Sequence, residues 1–249
     1  MIQIKTAKEI EKMRKACKIS AGALAAGGKA VKPGATTADI DKAVYDYIVS
    51  HGAKPNFKGY GGFPGSACVS VNDTVIHGIP SRDIVLKEGD IVSIDTGAVI
   101  NGFNGDNAYT FCCGEVSEEA KRLLEVTEES LHKGIAAAVA GGQVGDIGHA
   151  VQTVVEDAGF SVVRSYVGHG VGRELHEDPE VPNFGRAGHG ARLLPGMILA
   201  IEPMVNEKSF NVRVLPDKWT VKTVDGGLSA HFEHTIVITK DGPVILTQL

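Results

Sequence analysis

The run Leu86-Lys-Glu-Gly-Asp-Ile-Val-Ser-Ile-Asp95 reads as a turn at Gly89, an apolar strand and a carboxylate closing that strand. The same order returns in Leu193-Leu-Pro-Gly-Met-Ile-Leu-Ala-Ile-Glu202, where Leu86, Gly89, Ile91, Ile94 and Asp95 find counterparts 107 positions on. Working outward at that offset, Gly34 matches Gly141, Asp39-Ile40 matches Asp146-Ile147, and Ala43-Val44 matches Ala150-Val151. Glu11, Leu24 and Gly27 likewise face Glu118, Leu131 and Gly134. A period this long is not that of a solenoid. It predicts an α+β fold built by duplication: two halves, about 1–108 and 109–249, each ordered helix, helix, strands and related by a pseudo-twofold axis.

Apolar spacing of three and four places Ile10, Met13, Cys17, Ile19 and Leu24 on one side of a helix over about 6–29, closed by Gly27, Gly28 and Pro33-Gly34. A second helix is expected over about 37–52, capped by Thr36 or Thr37 and closed by Gly52. Their counterparts fall at about 117–139, opened by Ser117, and 146–158. Strand-rich runs cover 85–100 and 231–246.

Composition narrows the function. A 249-residue chain that is 43% apolar can bury a continuous core. Its formal net charge of −5 offers no field for neutralising phosphates, so stable nucleic-acid binding is disfavoured. The charged, helical start lacks the apolar centre of a secretory signal, and no stretch reaches the roughly 18 apolar residues of a membrane span. Cys17, Cys68, Cys112 and Cys113 show no CxxC pair, which reads as reduced thiols in a cytoplasmic protein.

The chemistry lies at the strand ends. The symmetry brings the strands ending in Asp95 and Glu202 together, and an acid closing an apolar strand is costly to bury unless it pairs or binds a cation. A solvated strand end is the alternative for either residue alone. Asp95 and Asp106 flank a hairpin turned at Asn101-Gly102, which aims both carboxylates at one spot. Glu233 follows Glu202 across an expected second hairpin containing Trp219, so each half supplies two acids. One imidazole would complete a site for two divalent cations, and His169 in GHGVG is the candidate; alone, it reads more readily as a structural histidine.

With these residues in view, the chain resembles the methionine aminopeptidases of the short bacterial type, members of the pita-bread metallopeptidase fold. The resemblance rests on VNDTVIHGIP (71–80), IDTGAVINGFNGD (94–106), GHGVGRELHEDP (168–179), IEP (201–203) and the run from Trp219 to Ile238. It implies a pseudo-twofold antiparallel sheet with helices on its outer face, in a single catalytic domain. It implies that Asp95, Asp106, His169, Glu202 and Glu233 ligate two divalent ions (Mn, Fe or Co), with Asp106 and Glu233 bridging. Such a pair would supply a nucleophilic hydroxide at neutral pH. Glu202 would move its proton, while His77 and His176 face the substrate and His176 donates to the developing oxyanion. Tyr60, Phe63, Cys68 and Trp219 would form a pocket suited to a thioether. The glycine-rich GYGGFPG around Tyr60 and Phe63 is expected outside the core. Phe63 stands where many relatives carry Tyr, and Phe57 where some carry Cys.

The substrate implied is the N-terminal Met of nascent polypeptides, with transient ribosome association and a monomeric state expected. Only 26 positions separate His176 from Glu202, which leaves no room for the helical insertion of eukaryotic-type relatives. The length also leaves no room for the extra amino-terminal domain of prolidases. Three other classes compete. A metal-free binding module and a creatinase-like enzyme would each lack some of the carboxylates present here. A cysteine nucleophile at Cys112 or Cys113 would sit in an apolar strand, where an inert thiol is expected.

Overall fold

The computed structural model describes residues 1–248. Four helices form where apolar periodicity and capping residues coincide. Helix α1 spans Ala7–Ala30 and α2 spans Thr37–Ser50, each opened by a capping box in which Thr6 and Glu9, or Thr36 and Asp39, satisfy one another's backbone N–H groups. Helix α3 spans Glu118–Ala137, with Ser117 Oγ accepting from Ala120 N at 3.1 Å. Helix α4, Val144–Asp157, starts two residues before the expected position because Asp146 reaches back to Gln143 N at 2.7 Å.

Gly27 and Gly28 lie inside α1 rather than ending it. They serve close approach instead: a Cβ on Gly27 would stand 2.9 Å from Val44 Cγ2 and 3.3 Å from Ile94 Cδ1. Gly134 in α3 repeats the arrangement, 2.7 Å from Val151 Cγ2 and 3.5 Å from Ile201 Cγ2. Every partner in the second set lies 107 positions after its equivalent in the first. So do the bridges Thr36 to Val85 and Gln143 to Arg192, and the hydrogen bonds from Gly34 N to Leu86 O and from Gly141 N to Leu193 O. The duplication read from the chain is a duplication of packing.

These helices cover one face of a nine-stranded sheet in which every pairing is antiparallel. Its order is Lys54–Pro55, Ile91–Ile100, Phe103–Cys112, Glu233–Thr239, Ile198–Ile201, Gly168–Gly170 and Glu177–Val181. Ala67–Val71 also pairs with Ile91–Ile100, and Gly242–Ile245 with Glu233–Thr239. The halves join where Phe103–Cys112 pairs with Glu233–Thr239. Asn101 and Gly102, both at positive φ, make the two-residue turn of the first-half hairpin.

Leu24, Ile40, Val44 and Ile94 pack between helices and sheet in the first half; Leu131, Ile147, Val151 and Ile201 do so in the second. Side chains alternate across a strand, so Asp95 and Glu202, each one residue beyond its helix-facing isoleucine, project from the opposite face. The chain between Glu202 and Glu233 is not a simple hairpin. It contributes to two small three-stranded sheets, and Trp219 sits at the tip of the hairpin Val212–Val214 with Val221–Thr223.

Candidate functional site

Strand register assembles the acidic residues. Ala108 lies opposite Asp95 on one side and Glu233 on the other, and Gly97 lies opposite Asp106. Directly opposed residues share a face, so three carboxylates emerge together with only alanine and glycine between them. Glu202 follows Ile201, the partner of His234, and so comes alongside Glu233; His169 enters from the next strand, opposite Ala200. Ligand atoms of Asp106, His169 and Glu233 all lie within 4.8 Å of one another. His169 Nε2 is 3.5 Å from Glu202 Oε1 and 3.8 Å from Asp106 Oδ2. All five residues line one cavity of about 240 Å³.

Burial holds these carboxyls far from their ordinary titration range. Desolvation pushes Asp95 up to about 8, and it drives Asp106, Glu202 and Glu233 well above the usual carboxylate range, with the charges of their neighbours adding to the shift. Asp95 Oδ1, Asp106 Oδ1 and Glu233 Oε1 are buried with no hydrogen-bond partner among the described residues. Among the described residues, no lysine or arginine pairs with any of the four, and only His169 and His231 approach them. Unpaired buried charge costs several kcal/mol per ion, and divalent cations remove that cost. His169 fits the same role. Its Nδ1 lies 2.8 Å from Gly170 O and donates there, leaving the Nε2 lone pair toward the acids, while burial lowers its pKa to about 4 and keeps it neutral. This donor set of hard oxygens and one imidazole suits divalent first-row cations.

Beside the acids the cavity turns apolar. Cys68 pairs with Asp95 in the adjacent strand and shares its face, and its thiol is pushed up by burial and by the Asp95 charge. Phe63 and Trp219 meet edge to face with centroids 5.2 Å apart. The GYGGFPG run straddles the boundary: Tyr60 is 46% exposed at the rim, whereas Phe63 is 3% exposed, because the glycines let the chain dip inward and back. His77 adopts a left-handed backbone, φ 58, and its ring stands between Trp219 and Tyr166. His176 Nδ1 lies 2.8 Å from Tyr60 Oη, and its ring is 4.3 Å from that of His169.

Every residue expected at the site is therefore in one place. Three others belong with them. Leu175 and Phe57 line the cavity, and His231 is fully buried with Nε2 3.8 Å from Glu202 Oε2. His231 lies two residues before Glu233 in the chain, at the end of the short separate strand Ser229–His231; Leu175 and Phe57 lie in irregular chain with no periodic signal.

A sequence model of metallopeptidase family M24 matches residues 11–240. The methionine aminopeptidase of Clostridium acetobutylicum is 55% identical over 99% of both chains, and methionine aminopeptidase 1 of Bacillus subtilis is 54% identical over the whole of both. The crystal structure of methionine aminopeptidase from Thermotoga maritima superposes with a TM-score of 0.98 at 52% identity, covering both chains completely. A shared pita-bread fold, near-complete coverage and a buried donor set built for cations all agree, and the chain belongs to metallopeptidase family M24.

Proposed function

We propose that this chain is a metalloaminopeptidase that releases the initiator methionine from the N-terminus of newly made polypeptides. The observation that carries the reading is the juxtaposition of unpartnered buried carboxylate oxygens with an apolar cavity of side-chain size. Asp95, Asp106, His169, Glu202 and Glu233 would hold two divalent ions of Mn, Fe or Co. When bound, such ions supply Lewis acidity and a water acidic enough to attack at neutral pH.

The chain's own groups divide the remaining work. Glu202, whose carboxyl burial and the Asp95 charge raise well above the usual carboxylate range, would accept the proton of the attacking water and pass it to the leaving amine. Tyr60 Oη lies 2.8 Å from His176 Nδ1; with the hydroxyl as donor, the ring proton would sit on Nε2, free to stabilise the developing oxyanion. His77, neutral because burial lowers it to about 4, faces the substrate backbone. The closed acidic end beside Asp95 receives a free α-ammonium, which favours exopeptidase action. Tyr60, Phe63, Cys68 and Trp219, joined by Phe57 and Leu175, offer a polarizable lining for an unbranched thioether.

The two halves, about 1–108 and 109–249, form a single catalytic domain on this reading, and the internal twofold makes a monomer sufficient. No helix among the described residues is long and apolar enough to cross a membrane. A cytoplasmic enzyme that visits the ribosome transiently fits a substrate that is a nascent chain.

The test is cleavage of a Met-Ala-Ser peptide and a Xaa-Pro peptide by metal-stripped protein, before and after adding Mn(II) or Co(II). Metal-dependent release of Met alone is expected. Release from Xaa-Pro would transfer the chain to proline-specific chemistry, and no release with metal shown to be bound would leave a binding module.

A further inference from the structure

The loop that carries His176 is tied to the first residues of the chain. Lys5 Nζ pairs with Glu177 Oε2, and the two side chains are 6% and 9% exposed, so the ion pair is dry although 172 positions separate its partners. Lys5 is itself pinned, its N–H donating to Gly196 O at 2.8 Å. The other oxygen of Glu177 accepts from Glu174 N at 3.3 Å, which closes the loop on itself. At the loop's beginning, Asn104 donates from its backbone N and Nδ2 to Gly172 O at 2.9 and 3.1 Å. Gly172 keeps the space open: a Cβ there would stand 2.3 Å from Glu177 Oε1 and 2.7 Å from Lys5 Nζ. Residues 172–177 are thus held at one end by Asn104 and at the other by Lys5, with His176 adjacent to the second anchor.

We infer that Lys5 is a positioning residue for His176, acting through Glu177. This rests on the aminopeptidase reading above and deepens it. Without Lys5, Glu177 is left as a buried charge with no cation, and it regains solvation only by swinging outward. His176, the preceding residue, would move with it. A donor displaced by a fraction of an ångström loses its alignment with the oxyanion while leaving metal ligands and pocket in place.

The experiment compares wild type, Lys5→Met, Lys5→Arg and His176→Ala, alone and as Lys5→Met/His176→Ala, on a Met-Ala-Ser peptide with Mn(II). For Lys5→Met, kcat is expected to fall by about ten- to a hundredfold with KM and bound metal nearly unchanged, and Lys5→Arg to recover most of the loss. In the His176→Ala background the Lys5→Met loss should disappear. Should Lys5→Met fold poorly, Lys5→Gln, which likewise leaves Glu177 without its cation, is judged by the same criteria. An unchanged kcat, or an equal loss in the His176→Ala background, overturns the inference. Independently of activity, the nitrogen–proton NMR signal of the His176 ring should shift or broaden in Lys5→Met, and an unaltered signal would overturn it even if the wild type released no methionine. Wild-type inactivity itself bears on the aminopeptidase reading alone.

Discussion

Tyr60 Oη lies 2.8 Å from Nδ1 of His176, so a residue of the first half sets the imidazole supplied by the second. A hydroxyl donating to Nδ1 puts the ring proton on Nε2. In His169, 4.3 Å away, the polarity is reversed: Nδ1 donates to Gly170 O and Nε2 is the lone-pair end. With Tyr60 as the donor, two neighbouring histidines are held in opposite tautomers, which on the proposed reading would leave one to ligate a cation and the other to donate a hydrogen bond. Each fixed partner lies outside the reacting centre, which separates the two roles in mutagenesis.

His176→Ala should keep its metal and lose about two to three orders of magnitude in kcat, the scale of one lost oxyanion donor. Tyr60→Phe keeps the ring but frees the tautomer, a loss of about one hydrogen bond, and kcat should fall by roughly tenfold. Steady-state kinetics with metal analysis on the same samples checks both. An unchanged rate in His176→Ala would move the donor role elsewhere.

Asp106 offers a ligand atom within 4.8 Å of those of His169 and Glu233, and its Oδ2 lies 3.8 Å from His169 Nε2. Asp106→Ala should lose stoichiometric metal and activity yet remain folded, because the substitution removes one of several mutually repelling buried carboxyls from the metal-free protein. Metal analysis after dialysis and circular dichroism test the two halves of this expectation. Full activity with stoichiometric metal would remove Asp106 from the ligand set.

Much of this was readable before any coordinates because duplication writes the packing twice. Leu24, Ile40, Val44 and Ile94 are ordinary apolar residues alone, and their recurrence at a fixed offset is what marks them as one interface. The acids were legible because a carboxylate closing an apolar strand violates the expected pattern. Gly27 misled, since a glycine near a helix end reads as a stop signal while its use here is steric and depends on Ile94, 67 positions away. Trp219 misled in another way: the antiparallel partner of its hairpin is Thr74–Ile76, in the other half, and a pairing that distant leaves no local trace. The Lys5 and Glu177 pair is invisible for the same reason.

Gly27→Ala and Gly134→Ala are expected to destabilise by about 1–2 kcal/mol each, overpacking against buried Val44 or Val151 outweighing the gain in helix propensity. Equal effects from the two variants would follow from equivalent packing. Urea denaturation of both, with unchanged m-values, is the measurement. A stabilised Gly134→Ala, where the contact is the tighter at 2.7 Å, would show that the helix and sheet separate more readily than their packing indicates.

The metal-free protein should lose stability as pH rises above about 6.5. A carboxyl whose folded pKa is raised binds more protons folded than unfolded, so its contribution is complete below the ordinary value and is lost as pH climbs through the folded one. For Asp95 that window runs from 3.8 to about 8, with Asp106, Glu202 and Glu233 acting in the same direction. The buried histidines oppose this only at lower pH. His77, His169 and His234 titrate at about 4 and His231 at about 3 in the folded chain, against 6.5 when free, so their contribution is lost as pH falls below 6.5. The two slopes offset one another in the acid range; above 6.5 the histidine slope fades within about one further pH unit, and the four carboxyls together outweigh it. Between pH 6.5 and 8, Asp95 by itself accounts for about 2 kcal/mol, or on the order of 5 °C in Tm. Calorimetry of metal-stripped protein at about pH 6.5, 7.25 and 8, the upper part of the window, should show this fall, and saturating Mn(II) should abolish it by supplying the missing counter-charge. A metal-free Tm that is flat across this range would mean that the four carboxyls already share a counter-ion or open to solvent when no metal is bound.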